Sequence, residues 1–270
     1  MIIGNRTFEL GKKTYIMGIL NVTPDSFSDG GRYISMAEAL HHAREMVEDG
    51  ADILDIGGES TRPGHTPVSQ DEELSRVIHI IRAIRNEIGV PVSIDTCKAE
   101  VAEEAIKAGA AMVNDVWGFK KDPEMAAVAA RYGVACCLMH NQEKHEYGNL
   151  LKDIDASLRS SVDIALNKGV KKEKIILDPG IGFGKTYEQN LEVLRYLGYF
   201  KQTEFPLLLG TSRKSVVGNA LKLPVDQRME GTLATSVIGV SKGVDFVRVH
   251  DVKENKRACR MADVIYRLNR

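Results

Sequence analysis

The sequence predicts a single closed (β/α)8 barrel, and three observations carry that prediction. Eight short apolar segments recur along the 270 residues, each bounded by glycine or polar side chains and each short enough to be a buried parallel strand. Between them lie eight segments with helical spacing of apolar residues, at a repeat of very roughly thirty residues, which is the alternation that builds a parallel barrel. Each strand-like segment ends in a polar tip, and in such a barrel the strand C-termini converge on one face, where the loops build the active site. One domain accommodates the whole chain, and 43% hydrophobic content is ample for its core.

Residues 2–10 have β character broken by Gly4 and Asn5, which predicts a short hairpin plugging one end of the fold. The first core strand is the run 15–20, and it stops at Asn21. The segment through Gly31 holds Pro24, Asp25, Phe27, Asp29 and two glycines and reads as a loop. Ser35 can cap a helix in which Ala39, Ala43, Met46 and Val47 share a face, ending at Gly50. Strand two, 53–56, leads into the Gly- and Pro-rich stretch 57–65, a second long loop. Helix 71–88 follows, with Leu74, Val77, Ile78 and Ile81 on one face. Strand three, 92–94, ends in Asp95, and helix 98–108 stops at Gly109. Met112 and Val113 lead to Asn114 and Asp115 at the fourth tip. Asp122-Pro123 opens the next helix, with Pro where a missing N–H costs nothing, and Gly133 closes it. Strand five, 135–139, ends at His140 and Asn141, before a polar loop, 142–149. A helix from about 153 to 168 precedes strand six, 175–177, which ends in Asp178. Helix 188–197, strand seven at 206–209 and the tip Gly210 to Ser215 come next. One longer helical stretch then runs to Lys242, strand eight spans 246–249 with Arg248, His250 and Asp251 at its tip, and helix 252–268 completes the chain.

Bulk properties exclude several classes. A formal charge of −1 and a pI near 6.7 leave no global basic field, so no nucleic-acid partner is expected and any anion must be held by a local cluster. Cys97, Cys136, Cys137 and Cys259 form no CxxC pair and read as reduced core residues. The N-terminus lacks a signal-like apolar stretch and no run approaches a membrane span, so a cytoplasmic protein without a membrane partner is expected.

The tips carry the chemistry. Asp95, Asn114 and Asp178 are carboxylates and an amide at one mouth, suited to a flat heterocycle that displays amino, ring-nitrogen and carbonyl groups on its edges. Lys214, Arg248 and His250 form a basic group on strands seven and eight, where barrels of this kind hold phosphate. The competing reading pairs Arg248 with Asp251 and leaves Lys214 as a solvated charge. Asn21, with Asp25 and Asp29 nearby, can hold a hard cation such as Mg²⁺, which keeps water and phosphate oxygens in its shell. The run Asp178 to Thr186 is glycine-rich, but a P-loop needs Gly where Pro179 stands, and the dinucleotide pattern fails at Lys185. Its glycines instead let backbone approach a flat ligand, with Phe183 near the ligand's face. No Cys-His or Ser-His arrangement for nucleophilic catalysis stands out.

These motifs resemble the dihydropteroate synthases along nearly the whole chain. The resemblance rests on 18–30 (GILNVTPDSFSDG), 55–64 (DIGGESTRPG), 93–96 (SIDT), 114–115 (ND), 177–185 (LDPGIGFGK), 212–214 (SRK) and 248–250 (RVH). It implies joining of 4-aminobenzoate to 6-hydroxymethyl-7,8-dihydropterin diphosphate, with loss of diphosphate, in a cytoplasmic homodimer that uses Mg²⁺. It further implies Asp95, Asn114, Asp178 and Lys214 as pterin contacts and Asn21 as the metal ligand; Met139 and Phe183 are expected to bind substrate, and Asp29 is a further, indirect candidate at the metal. Thr61, Arg248 and His250 carry over to the diphosphate-bearing substrate, and Phe27, Pro63 and Ser215 to the aminobenzoate side, with Arg62 also expected to bind substrate. Catalytic roles fall to Lys214, Arg248 and Asp95. Loop 141–149 departs from the commoner family pattern. The competing functions are a pterin-dependent methyltransferase and an inactive pterin-binding module.

Overall fold

Alternation along the strands decides what the barrel encloses. The computed structural model describes residues 1–22, 36–59 and 67–267. A hairpin of β1 (Ile2–Ile3) and β2 (Arg6–Thr7) precedes β3 (Tyr15–Asn21), α1 (Met36–Glu48), β4 (Ile53–Gly57), α2 (Gln70–Glu87), β5 (Val92–Asp95) and α3 (Ala99–Ala108). The order continues with β6 (Met112–Asp115), α4 (Met125–Tyr132), β7 (Ala135–Met139), α5 (Leu150–Asn167), β8 (Ile175–Asp178) and α6 (Tyr187–Arg195). It ends with β9 (Leu208–Leu209), α7 (Ser215–Leu221), α8 (Met229–Ser241), β10 (Phe246–Val249) and α9 (Val252–Tyr266). The eight-stranded sheet runs β8-β7-β6-β5-β4-β3-β10-β9, and every pairing in it is parallel. A bridge between Leu177 and Leu207 joins its two ends, with Leu177 N donating to Pro206 O at 2.9 Å. The predicted barrel is present, and its thinnest seam lies between β8 and β9.

Residues two apart on a strand share a face. Tyr15 and Met17, Ile53, Met112, Ala135 and Cys137, Ile176, Leu208 and Phe246 form one buried cluster together with Ile3 and Phe8 from the N-terminal segment. The Phe8 and Tyr15 rings meet edge-on at 4.7 Å, and Tyr15 lies 5.6 Å from Phe246, so the hairpin region plugs the barrel as expected. Two residues further along, the same face turns polar: Ile53 gives way to Asp55, Met112 to Asn114, Ile176 to Asp178 and Phe246 to Arg248, while β5 contributes Ser93 and Asp95. The intervening residues, among them Ile16, Leu54, Ile56, Ile94, Val113, Leu138, Leu177 and Val247, belong to the larger outer cluster under the helices.

Three helix boundaries differ from expectation for local reasons. The α5 helix starts at Leu150 rather than near 153 because Asn149 caps it, its side chain accepting from Lys152 N at 3.1 Å. The α4 helix starts at Met125, not Pro123, since Asp122 closes a turn onto Glu124 N at 3.0 Å and Met125 N at 3.2 Å. The single stretch expected up to Lys242 is two helices, α7 and α8. Lys222 leaves the first in a left-handed conformation, and Pro224 follows without an N–H to continue it. All four cysteines are free, and no helix among the described residues is long and apolar enough to cross a membrane.

Candidate active site

The polar upper half of the barrel interior is organised by Arg248 on β10. Its Nε donates to Asp55 Oδ2 at 2.6 Å and its Nη2 to Asp95 Oδ2 at 2.6 Å, while Asn114 Nδ2 donates to the same Asp55 oxygen at 3.0 Å. Two carboxylates buried this deeply would repel each other, and the planar guanidinium between them supplies the compensating charge and the fork geometry. Three polar atoms in this layer are buried without a hydrogen-bond partner: the acceptors Asp55 Oδ1 and Asp95 Oδ1, and the Ser93 hydroxyl, which can donate or accept. Burying such a group unpaired costs about 1–3 kcal/mol, and three clustered in one layer suit a polar ligand or water that brings donors to the two carboxylate oxygens. Burial pushes the Asp95 carboxyl up to about 7, against the pull of Arg248 and with the help of Asp55.

The opposite wall is Asp178, Lys214 and the loop between β8 and α6. Asp178 Oδ1 accepts from Gly180 N at 2.7 Å, and burial raises its carboxyl above the usual range. Lys214 Nζ donates to Ile181 O at 2.6 Å and lies 4.6 Å from the centre of the Phe183 ring. Burial lowers this ammonium to about 8, with Asp178 opposing the fall and Arg248 adding to it. The walls converge at Gly210, where an added Cβ would stand 3.7 Å from Lys214 Nζ and 3.8 Å from both Asp178 Oδ2 and Arg248 Cβ. Met139, the last residue of β7, is buried under the same loop, 3.3 Å from where a Gly180 Cβ would be.

Arg248 therefore does not pair with Asp251, as the competing reading had it. Asp251 instead takes Arg213, through Nε at 3.1 Å and Nη2 at 2.5 Å. That bond braces the turn carrying Lys214, in which Arg213 has a positive φ of 57°. Nor is Lys214 a solvated charge. His250 is tied to Ser212, whose Oγ accepts from His250 N at 3.1 Å and meets its Nδ1 at 2.9 Å. Ser215 is exposed at the start of α7. His140, expected as a strand tip at the mouth, is instead buried against Lys185. Thr61, Arg62, Pro63, Phe27, Asp25 and Asp29 lie outside the described residues.

Sequence reasoning assigned no role to Asp55, Ser93, Ser212 or Lys185. For Asp55 a signal existed: a charge in the middle of the strand Ile-Leu-Asp-Ile-Gly must be paired if the strand is buried. Among the described residues no group of three or more His, Cys, Asp or Glu could hold a metal. Asn21, half-buried at the end of β3 with Oδ1 3.6 Å from the Cβ position of Gly57, offers one amide oxygen. A single neutral oxygen fits a hard cation that keeps most of its shell as water and phosphate oxygens.

Residues 17–250 match the family described as pterin binding enzyme. The chain is 60% identical over 268 residues to the dihydropteroate synthase of Clostridium beijerinckii, covering 99% of this chain and 100% of that one. To the dihydropteroate synthase of Bacillus subtilis it is 56% identical, covering 94% and 89%. Its structure is similar to that of the Clostridium difficile enzyme solved in the presence of pteroic acid, with a TM-score of 0.94 and 56% identity over 97% of this chain and 100% of that one. It is also similar to the Yersinia pestis enzyme in a sulfonamide drug complex, with a TM-score of 0.92 and 40% identity over 98% of each chain. A polar barrel mouth that lacks donors for its deepest acceptors and sequence identity across nearly the full length lead to one placement: the chain belongs to the dihydropteroate synthase family of pterin binding enzymes.

Proposed function

We infer that the protein condenses 6-hydroxymethyl-7,8-dihydropterin diphosphate with 4-aminobenzoate to give 7,8-dihydropteroate and diphosphate. The observation that carries the pocket assignment is the set of unpartnered polar atoms, the acceptors Asp55 Oδ1 and Asp95 Oδ1 with the Ser93 hydroxyl. A pterin edge presents the amino and ring N–H donors that such acceptors need. Asn114 and Asp178 extend the polar edge, and Phe183 with Lys214 covers a ring face. Met139 supplies the apolar floor.

The C–O bond to diphosphate breaks first and its electron pair leaves with the diphosphate oxygen. The methylene carbon left cationic is stabilised by the pterin ring and by the surrounding carboxylates. The arylamine nitrogen then forms the new C–N bond and releases a proton to solvent or to the departing diphosphate. Arg248, held by two carboxylates before any substrate arrives, and His250, held by Ser212, meet the anionic side without having to reorganise. Asn21 would hold Mg²⁺, with Asp29 acting indirectly, and the ion when bound neutralises charge on the leaving group. Ser215, Phe27 and Pro63 are the aminobenzoate side, and Thr61 and Arg62 serve the diphosphate-bearing substrate. Sulfonamides are the matching inhibitor class, as in the Yersinia pestis relative.

The working unit of this proposal is a cytoplasmic homodimer. Ile238 of α8 and Met261, Val264 and Ile265 of α9 are 43%, 60%, 47% and 62% exposed on two helices that pack side by side, an apolar surface suited to a second copy. Ile265→Glu should give monomers in sedimentation velocity. The function is tested by diphosphate release from the pterin substrate with and without 4-aminobenzoate. Release that depends on the amine and yields dihydropteroate supports it, and methyl transfer from methyltetrahydrofolate without such release would overturn it.

A further inference from the structure

Lys185 takes no part in the chemistry above, yet it is among the most thoroughly bonded side chains of the β8–α6 loop. It is 6% exposed, and its ammonium has three donors and three partners: Gly180 O at 2.8 Å, Phe183 O at 3.0 Å and His140 Nδ1 at 2.9 Å. Burial lowers this ammonium to about 7, and while it is charged His140 accepts through Nδ1; burial first, with Lys185 adding, holds the imidazole down to about 3. The loop it gathers is a tight one. Gly180, Gly182 and Gly184 all have positive φ, and a Cβ on Gly180 would lie 2.0 Å from His140 O. Asn190 on α6 locks the same loop from outside, accepting from Gly182 N at 2.6 Å and donating to Thr186 O at 2.7 Å.

The loop's inner edge makes the contacts that matter. The residue whose carbonyl Lys185 binds, Gly180, is the one whose N–H orients Asp178 Oδ1 at 2.7 Å. Ile181 O, one residue on, anchors Lys214 Nζ at 2.6 Å, and the ring of Phe183, whose carbonyl Lys185 also binds, lies under that ammonium. The geometry points to Lys185 as a positioning residue: through Gly180 and Phe183 it sets where Asp178 and Lys214 stand, and so sets affinity for the pterin half of the reaction without touching substrate. This rests on the reading of Asp178 and Lys214 as pterin contacts.

The test compares Lys185→Met, His140→Leu, His140→Asn and Asp178→Ala. Steady-state KM values are measured for each substrate, with calorimetric Kd for a pterin lacking diphosphate. Lys185→Met should raise pterin Kd and KM by about tenfold to a hundredfold, as expected when charged hydrogen bonds to the ligand are lost or misaligned, and leave 4-aminobenzoate KM within about twofold. If Lys185→Met fails to fold, the histidine pair decides. His140→Asn keeps an acceptor for the ammonium and His140→Leu does not, so the leucine variant should bind pterin more weakly than the asparagine variant. Equal pterin affinity in those two, or a Lys185→Met effect spread evenly over both substrates, overturns the inference. An unchanged Kd in Asp178→Ala overturns the pocket reading and this inference with it. A weakened Asp178→Ala beside an unaltered Lys185→Met overturns this inference alone.

Discussion

Asp95→Asn should make the protein more stable and a poorer binder at once. The folded-state carboxyl is raised from the ordinary 3.8 to about 7, chiefly by burial, with Asp55, Glu73 and Asp115 adding and Arg248 opposing. The folded protein therefore holds this proton more tightly than the unfolded chain does, and ionised Asp95 costs stability. The cost is absent below about pH 4, grows as the pH rises and is complete above about pH 7. At about 1.4 kcal/mol per pH unit of separation it reaches the order of 4 kcal/mol, and a side chain 4% exposed gives solvent little means to screen it. Asparagine, uncharged and isosteric, removes that cost and can still accept from Arg248 Nη2 through its amide oxygen. Its NH2 then occupies the place of the unpartnered Oδ1, facing the donors of the pterin. Losing a charged hydrogen bond there costs roughly 1.5–3 kcal/mol, about ten- to over a hundredfold in Kd. Urea unfolding at about pH 4.5 and about pH 8, with pterin calorimetry, measures both. The stability gain should appear at the higher pH and shrink at the lower one. A variant less stable than its parent at about pH 8, or one with unchanged pterin Kd, would refute the electrostatic account of the mouth.

Three further outcomes are expected. Arg248→Lys should lower kcat for diphosphate release more than it weakens a diphosphate-free pterin, because one ammonium cannot span Asp55 and Asp95 as the fork does; equal losses would reduce Arg248 to a structural prop. Pterin affinity of the parent should fall as pH rises through about 8, where Lys214 loses its proton, and calorimetry on Lys214→Met should show no such inflection. Gly180→Ala forces a Cβ to 2.0 Å from His140 O at a φ of 72°, so urea unfolding should show a loss of at least about 3 kcal/mol.

The barrel was legible because strand and helix periodicities differ and the chain switches between them eight times. The hairpin plug, the strands and most helix stops at glycine followed from residue type alone. Less legible were features decided by partners distant in sequence. Asp55 sits within an apolar strand, and its role depends on Arg248, 193 residues later. His140 looked like another tip of the mouth, but Lys185 draws it into a buried pair behind the β8–α6 loop. Arg248 and Asp251 are near neighbours in sequence, which made their pairing a natural reading. The guanidinium instead follows strand alternation into the barrel, and Asp251 turns to Arg213.

The proposed mechanism, which uses no side-chain nucleophile, places the demand on where fixed charges stand before substrate arrives. Cys136 and Cys137 lie on β7, but burial pushes both thiols up, so neither offers a thiolate to attack a methylene carbon. Arg248 uses Nε and Nη2 on carboxylates and Lys214 is tied to a backbone carbonyl, so the cations are held by protein groups rather than by solvent. Such a layer is costly in the free protein, as the raised Asp95 and the unpaired acceptors around it attest. In the proposed reaction a carbocation formed in this mouth would meet carboxylates already in place, and a departing diphosphate would meet a guanidinium that need not move. The strain in the free protein and the stabilisation of the transition state thus come from the same residues, which is why a change that relieves one should weaken the other.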